Sequence, residues 1–330
     1  MIRLVVILLV VSLAWMIWWA VGHTAYERGL SAWIEQRRAE GWAADVATLD
    51  TDGFPSRFDT TLTDLRLADP DTGVAWDVPI LQFLSLAYKP HQVIAVLPEA
   101  HDFSTPLGSF QIVHDDARAS LFLKPETALG LDQAIVIVSD LRIEGSNGEE
   151  VALATGRFAA ESVPATENTY RLGADIAGLN PSLEVLRWLD PTRVLPETVD
   201  AVKLDATASF NRPWDRFAIE DARPQPTRIE LENLSAAWGS ANFRAAGTLD
   251  VSPEGIPEGE ITIRAVDWRK ILDLAVASGL LPESAADPLE RALELMSGPR
   301  DTLDATLGFR GGFIWLGIIP IAPAPRIVLR

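Results

Sequence analysis

The sequence has no cysteine, and only four histidines, three tyrosines and three methionines in 330 residues. Without cysteine there is no disulfide, no thiolate zinc or iron–sulfur ligand and no cysteine nucleophile. Stability must then come from the packed core alone. The histidines are His23, His91, His101 and His114. They are widely spaced and follow no metal-ligand pattern, so a zinc site from His91, His101 and His114 requires that the fold gather them. Basic residues are also scarce, 28 against 46 acidic, for a net charge of −18. Such a surface repels phosphate backbones, which argues against nucleic acid as a partner. It also disfavours a soluble domain lying flat on anionic lipid. No P-loop, GxGxxG, GxSxG or HExxH motif is present. No catalytic, cofactor-binding or metal-binding residue is assigned, no cofactor is expected, and the chain is not expected to be an enzyme.

Three short strings invite a chemical reading and are better read as structure. Asp50-Thr51-Asp52-Gly53 begins like a calcium loop, but its glycine comes two positions early and Thr61 stands where the bidentate acid belongs. Asp115-Asp116 reads as a solvated connection between strands. In Gly53-Phe54-Pro55-Ser56-Arg57, Gly53 suits a positive φ, Pro55 fixes the start of a strand, and Phe54 can staple the loop to the core.

Residues 4–22, LVVILLVVSLAWMIWWAVG, are uncharged, and eleven of these nineteen are Leu, Ile or Val. At about 1.5 Å per residue they span roughly 28 Å, close to the ~30 Å hydrocarbon core of a bilayer. Residues 1–22 are therefore read as a transmembrane signal-anchor. Trp15, Trp18 and Trp19 are placed at the membrane interface, where indoles prefer the headgroup boundary. A cleaved signal peptide is the competing reading, with Ala20-Val21-Gly22 as its site. The apolar stretch is longer than the usual cleavable core, which favours retention. Arg28, Arg37 and Arg38 after the span favour a cytoplasmic domain on a bare charge count. A short leading segment bearing Arg3 favours the opposite. The expectation adopted is a single-pass bacterial inner-membrane protein with its soluble domain in the periplasm.

Residues 23–44 read as a juxtamembrane helix, with Tyr26, Leu30, Trp33 and Ile34 on one face and Gly41 as a stop. Residues 45–330 read as a β-rich domain. Val202, Leu204, Ala206, Ala208 and Phe210 alternate with polar residues. So do Phe243, Ala245, Leu249 and Val251; Ile261, Ile263 and Ala265; Leu303, Ala305, Leu307 and Phe309; and Leu172, Ala174 and Ile176. This alternation predicts antiparallel strands, wet on one face and apolar on the other. Val93–Leu97 and Ala134–Val138 are apolar on both parities and predict strands covered on both faces, or deep in a curved sheet. The parity switch between Leu231 and Leu234 predicts a β-bulge at Glu232–Asn233. Asp64-Leu65-Arg66-Leu67, Asp140-Leu141-Arg142-Ile143 and, more loosely, Asn233-Leu234-Ser235-Ala236 form a weak internal repeat. Helices are predicted at 181–190, 267–280 and 284–297, the last two as a hairpin. The tail, broken by Pro320, Pro323 and Pro325, predicts an edge strand. The fold class is thus mainly β (α+β): an anchor helix, then a large curved antiparallel sheet, as an open groove or a flattened barrel, with a C-terminal helical hairpin. Two halves, 45–178 and 197–330, would be joined by a helix at 179–196.

Three sets of residues carry a family resemblance: Gly41-Trp42 followed by GFPSR at 53–57; Trp76-Asp77-Val78-Pro79, Tyr88-Lys89-Pro90 and Leu97-Pro98; and Gly311-Gly312 ahead of Leu316-Gly317 and the proline-spaced tail. In this order they resemble the alphaproteobacterial envelope family catalogued as domain of unknown function 2125, over roughly residues 25–325. That family has no assigned activity. Its general look is similar to AsmA-like envelope proteins, which implies lipid handling or envelope homeostasis, by fold-level analogy. Two functions stay open. One is binding or passing lipid or another hydrophobe in a β-sheet groove lined by Phe243, Leu249, Val251, Ile261, Ile263, Leu307 and Phe309. The other is a structural or assembly factor that binds other envelope proteins.

Overall fold

The computed structural model describes residues 1–164, 166–191, 193–220, 223–279, 281, 283–298 and 302–329. It opens with one continuous helix, α1 (Ile2–Ala39), of 38 residues. The apolar span and the segment after it are therefore a single rod, about 57 Å long at 1.5 Å per residue. No proline interrupts it. Arg37 and Arg38 occupy its last turn, where the helix dipole favours cations. Gly41, at φ +94°, then turns the chain. The helix thus stops at Ala39, and Ala43–Asp45 is already strand β1.

The chain forms two compact units, Met1–Pro125 with Val136–Gly148, and Glu126–Ile135 with Glu149–Arg330. All described strand pairings in both are antiparallel. The first unit holds β2 (Thr48–Asp52), β3 (Arg57–Asp69), β4 (Val74–Leu86), β5 (Lys89–Val96), β6 (Ala100–Thr105), β7 (Gly108–Val113), β8 (Asp116–Leu123) and most of β9 (Leu131–Gly145). Strands β1 and β2 lie in line along one edge of β3, and β4 along the other. Strand β4 then splits its far edge between β5 and β6.

One face of this sheet carries Ala44, Leu62, Leu65, Val78 and Leu81, and α1 covers it through Ile34 and Leu30. The covering stripe of α1 is Trp19, Gly22, His23, Tyr26, Glu27, Leu30 and Ile34, spaced three or four residues apart. Trp33 is not on it; it is 42% exposed, with the Arg37 guanidinium over its ring. Closest approach is at Gly22, where an added Cβ would lie 2.2 Å from the Phe58 ring. Phe58 is fully buried, between the rings of Trp19 and Tyr26.

The second unit is a long meander: β10 (Glu150–Ser162), β11 (Thr169–Asn180), β12 (Val199–Phe210), β13 (Pro226–Trp238), β14 (Ala241–Val251), β15 (Pro257–Val266), β17 (Thr302–Arg310), β18 (Phe313–Leu316) and β19 (Ile319–Pro323). A two-residue strand, β16 (Ser297–Gly298), pairs beside β17. The predicted bulge is present. Asp205 pairs with Asn233 and Ala206 with Leu231, leaving Glu232 as the extra residue. The tail forms β18 and β19 at the end of this meander, as its prolines require. Helices α2 (Leu183–Leu189), α3 (Phe217–Glu220), α4 (Trp268–Ala277) and α5 (Glu283–Met296) complete the unit. Ser182 caps α2 by accepting from the Val185 N–H. Asp267 stands at the N-cap of α4 without a capping bond, and takes the Lys270 ammonium instead.

The runs apolar on both parities are not covered on both faces. Ile94, Val136 and Ile137 are 36%, 43% and 39% exposed, whereas Val138 is buried. Their composition reported β propensity rather than two-sided burial.

Two glycines of α1 should respond oppositely to alanine. Nothing lies within 4 Å of a Cβ at Gly29, so Gly29→Ala should stabilise the full chain by about 0.5–1 kcal/mol. Gly22→Ala drives a methyl into Phe58, and an overpacking cost of about 1–3 kcal/mol should outweigh that gain. Thermal unfolding in detergent is the check: a raised midpoint for Gly29→Ala, a lowered one for Gly22→Ala, and partial recovery on adding Phe58→Leu.

Candidate functional site

Strand register in the second unit aligns apolar side chains into rows that cross the sheet. One row runs Phe158, Ala174, Leu204, Leu234, Ala245, Ile263, Ala305. Its neighbour runs Ala160, Leu172, Ala206, Leu231, Gly247, Ile261, Leu307, Leu316. The opposite face carries matched charges: Lys203 on Asp175 at 3.0 Å, Arg228 on Asp250 at 2.8 Å, Arg264 on Asp304 at 2.6 Å. Exposed pairs of this kind add little stability, ~0–1 kcal/mol each, but they disfavour a slipped register.

Cover over the apolar face is uneven. At the β15–β18 end, α4 and α5 bury Ala265, Leu303, Ala305 and Leu316 beneath Trp268, Leu272, Leu289 and Leu293. Ala292 and Met296, which share the predicted stripe of α5, have side chains outside the described residues. The tail closes a second patch. Ile327 donates its N–H to the Gly255 carbonyl at 2.8 Å and, like Phe243 and Phe309, packs against the buried cluster of Ala245, Leu249 and Ile261. At the β10–β13 end the face stays partly open. Leu172, Ala174, Ile176, Val202, Leu204, Leu231 and Leu234 are all half-buried, and Phe158 is 39% exposed.

The seven residues expected to line a groove lie at the better-covered end. Leu249, Val251 and Ile261 are buried at 8%, 7% and 9% exposure. Ile263 and Phe309 pack half-buried on the same cluster, and Leu307 packs against the helical hairpin's core. Phe243 lines a cavity. This is an apolar slot of about 220 Å³ between α4 (Ile271, Leu274, Ala275) and the sheet (Ala236, Trp238, Ala241), closed by Leu189 and Leu195. Leu195 also borders a second cavity of about 250 Å³ with a mixed lining, in which Arg187, Arg193 and Glu197 stand beside Leu183 and Leu186. The open part of the face had the same period-two pattern as the rest. No feature of the strands themselves told which rows a helix would cover.

A polar recess lies in the first unit. It measures about 460 Å³ and is lined by Asp64, Arg66, Asp77, His101, Asp102 and Gln111, among others. Its lining offers carboxylates and an imidazole but no serine, threonine or lysine nucleophile. Across the β6–β7 hairpin His101 meets His114, with ring centroids 5.7 Å apart, and the Trp76 ring meets His101 edge to face with centroids 6.1 Å apart. His91 does not join them: among the described residues no group of three or more His, Asp or Glu could hold a metal ion. Asp50 and Asp52 sit on β2, and Asp116 is held by Arg118 at 2.5 Å.

Both histidines are buried, at 6% and 3% exposure. His101 Nδ1 and both ring nitrogens of His114 lack a hydrogen-bond partner. Burial pushes both pKa values below the ordinary 6.5; for His101 the neighbouring His114 adds to this, while Asp102 opposes it. For His114, Asp116, Glu99 and Asp115 oppose the effect of burial. The unfolded chain therefore takes up these protons at a higher pH than the folded one. The contribution to stability is complete above about pH 6.5 and is lost as pH falls from there toward the lowered native values. Unfolding midpoints of the full chain from pH 8 to 5 should show this fall, and His101→Phe with His114→Phe should flatten it.

Three of the four tryptophans of α1, Trp15, Trp18 and Trp19, complete the picture. Their indole N–H groups donate to backbone carbonyls of two β-turns: Trp15 to Pro55 at 2.8 Å, Trp19 to Arg57 at 2.8 Å, Trp18 to Ala87 at 2.9 Å. Phe54, expected to staple its loop to the core, sets its edge on Trp19 instead and stays 54% exposed. One helix turn later, the Tyr26 hydroxyl donates to the Pro90 carbonyl at 2.7 Å and also meets Ser85. α1 is long and apolar enough to cross a membrane, with a mean hydropathy of 2.6 in its most apolar window.

No curated protein and no solved structure matches the chain. A family model described as "Uncharacterized protein conserved in bacteria (DUF2125)" matches residues 19–325. The match runs from Trp19 of α1 to the proline-spaced tail, and so takes in every strand described above. The protein belongs to this uncharacterized bacterial family.

Proposed function

We propose that the protein is a membrane-tethered binder of lipid or a similar hydrophobe, and that the ligand lies on the open β10–β13 part of the second unit's apolar face. The observation that carries this is the row structure. Apolar side chains continue in register from the helix-covered end to the open end, where Leu172, Ile176, Val202, Leu204 and Leu234 remain half-exposed. Contiguous exposed apolar surface of this kind marks a site of interaction. The slot beside Phe243 is smaller than a typical ligand pocket of about 300–1,000 Å³, so it suits the end of a chain rather than a whole lipid.

A photocrosslinker separates lipid from protein as the occupant. With p-benzoylphenylalanine at Leu204 or Leu234, irradiated cells should yield adducts of lipid mass, and Lys203 on the opposite face should yield none. Adducts only of discrete protein mass would replace this reading with that of an assembly factor binding other envelope proteins.

We also place both units on the outer side of a bacterial inner membrane. Arg37 and Arg38, which count toward a cytoplasmic domain, are engaged with Glu40, Glu35 and Asp45 and lie about 22 Å or more along the helix from Gly22. Because the chain has no cysteine, Glu126→Cys gives a label site without background. A membrane-impermeant maleimide should modify it in spheroplasts; modification only after lysis would reverse the orientation.

A further inference from the structure

Arg3 and His23 are the first ionisable side chains at either end of the apolar stretch. They are twenty residues apart, about 30 Å along a helix, which equals the thickness of a bilayer's hydrocarbon core. Trp15, Trp18 and Trp19 then lie about 12, 7.5 and 6 Å to the lipid side of His23. The carbonyls they bind must lie at those depths too. These carbonyls belong to the β2–β3 turn, residues 53–57, and the β4–β5 turn, residues 86–89. If the bilayer instead ended below the turns, only Arg3 to Trp15 would remain to span it, about 18 Å, far short of the hydrocarbon thickness.

We propose that these two turns dip into the bilayer beside α1, so that the chain is held by a helix and a β-turn wedge together. The chemistry of the turns fits lipid. Their large apolar side chains are exposed: Phe54 at 54%, Tyr88 at 59% and Leu86 at 38%. Neither turn contains an acidic residue, in a chain that has 46. The cations at their rims, Arg57 and Lys89, suit the phosphate level, where long basic side chains snorkel. The backbone is satisfied as a non-aqueous setting demands. The N–H groups of Ser56 and Arg57 bond the Gly53 carbonyl, and the Ala87 N–H bonds the Ser56 carbonyl. The carbonyls of Pro55, Arg57 and Ala87 take the three indoles, which would otherwise be donors without acceptors in hydrocarbon.

The test uses the full chain in vesicles of phosphatidylethanolamine and phosphatidylglycerol, with single cysteines carrying the fluorophore NBD. Phe54→Cys and Tyr88→Cys probe the wedge. Leu107→Cys, 94% exposed at the β6–β7 turn, is the aqueous reference. Labels at 54 and 88 should emit to the blue of 107. They should also be quenched severalfold more by a doxyl group in mid acyl chain, and less by aqueous iodide. Emission and quenching at 54 and 88 equal to those at 107 would overturn the proposal. Since a label could perturb a turn, a nitroxide at Leu86→Cys gives a second reading: oxygen should relax it more than a water-soluble nickel chelate does, and the reverse order would count as refutation.

Discussion

Every strand of this protein that alternates does so one-sidedly, and a sheet with one apolar face needs a cover. The three covers present come from different parts of the chain. Helix α1, continued past its apolar span, covers the first unit. In the second unit the α4–α5 hairpin covers one end of the face, and the proline-broken tail covers a patch beside it. Each cover is held at a point of close fit: Gly22 against Phe58, Leu289 and Leu293 over Leu303, and the Ile327 amide on the Gly255 carbonyl. The anchor is therefore part of the fold and not an appendage to it. Its stripe from Trp19 to Ile34 is the lid of a core.

Much of this was legible in the sequence, because period-two alternation reports the face of a residue directly. The rows through Val202–Phe210, Phe243–Val251 and Leu303–Phe309 needed only the alternation, and the bulge at Glu232 only a parity switch. The stop at Gly41 and the edge character of the tail followed from glycine and proline chemistry. What could not be read was which part of a face is covered, since that depends on where separate elements dock. For this reason the seven residues chosen as groove lining fall mostly under the helices and tail, while Leu172, Val202 and Leu204, equally visible as strand residues, sit in the open. The meeting of His101 with His114 and the bonds from Trp15, Trp18 and Trp19 to turn carbonyls are long-range for the same reason. The continuity of α1 was hidden by its change from apolar to amphipathic composition, which reads as two segments.

The weak internal repeat has a physical meaning that sequence alone did not supply. Asp64 and Asp140 share a left-handed backbone, each at φ +48°. Aspartate tolerates this conformation better than most residues. In β3 the buried positions are Phe58, Thr60 and Leu62 before Asp64, but Leu65 after it. On β4 the buried positions shift parity at the same place, between Val78 and Leu81. Register is kept: Thr63 pairs with Ile80 and Leu65 with Val78. The break, opposite Pro79, which has no N–H to pair, resets which parity is buried on both strands, and Leu62, Leu65, Val78 and Leu81 still enter one core. Asn233, in the third copy, sits at the Glu232 bulge, with the same effect on Leu231 and Leu234. The repeated element is thus a device for resetting parity in long strands, which otherwise would be bound to a single alternation for their whole length.

Widths decide why a face of this kind cannot be closed from within. The eight strands from β10 through β15, with β17 and β18, are neighbours in sequence of pairing. At about 4.8 Å between strands they span roughly 34 Å. One helix, about 10 Å across, covers about two strands. Helices α4 and α5 therefore account for some 20 Å, and the tail adds its patch. Two to three strands' width is left, which is where the half-buried rows of β10–β13 occur. Those rows are Leu, Ile and Val, and Leu231 and Leu234 at their edge pack on the cluster of Ala245, Leu249 and Ile261, so the apolar face runs unbroken from its covered part into its half-buried part. The cost of such an exposed apolar row falls as the time it spends covered rises.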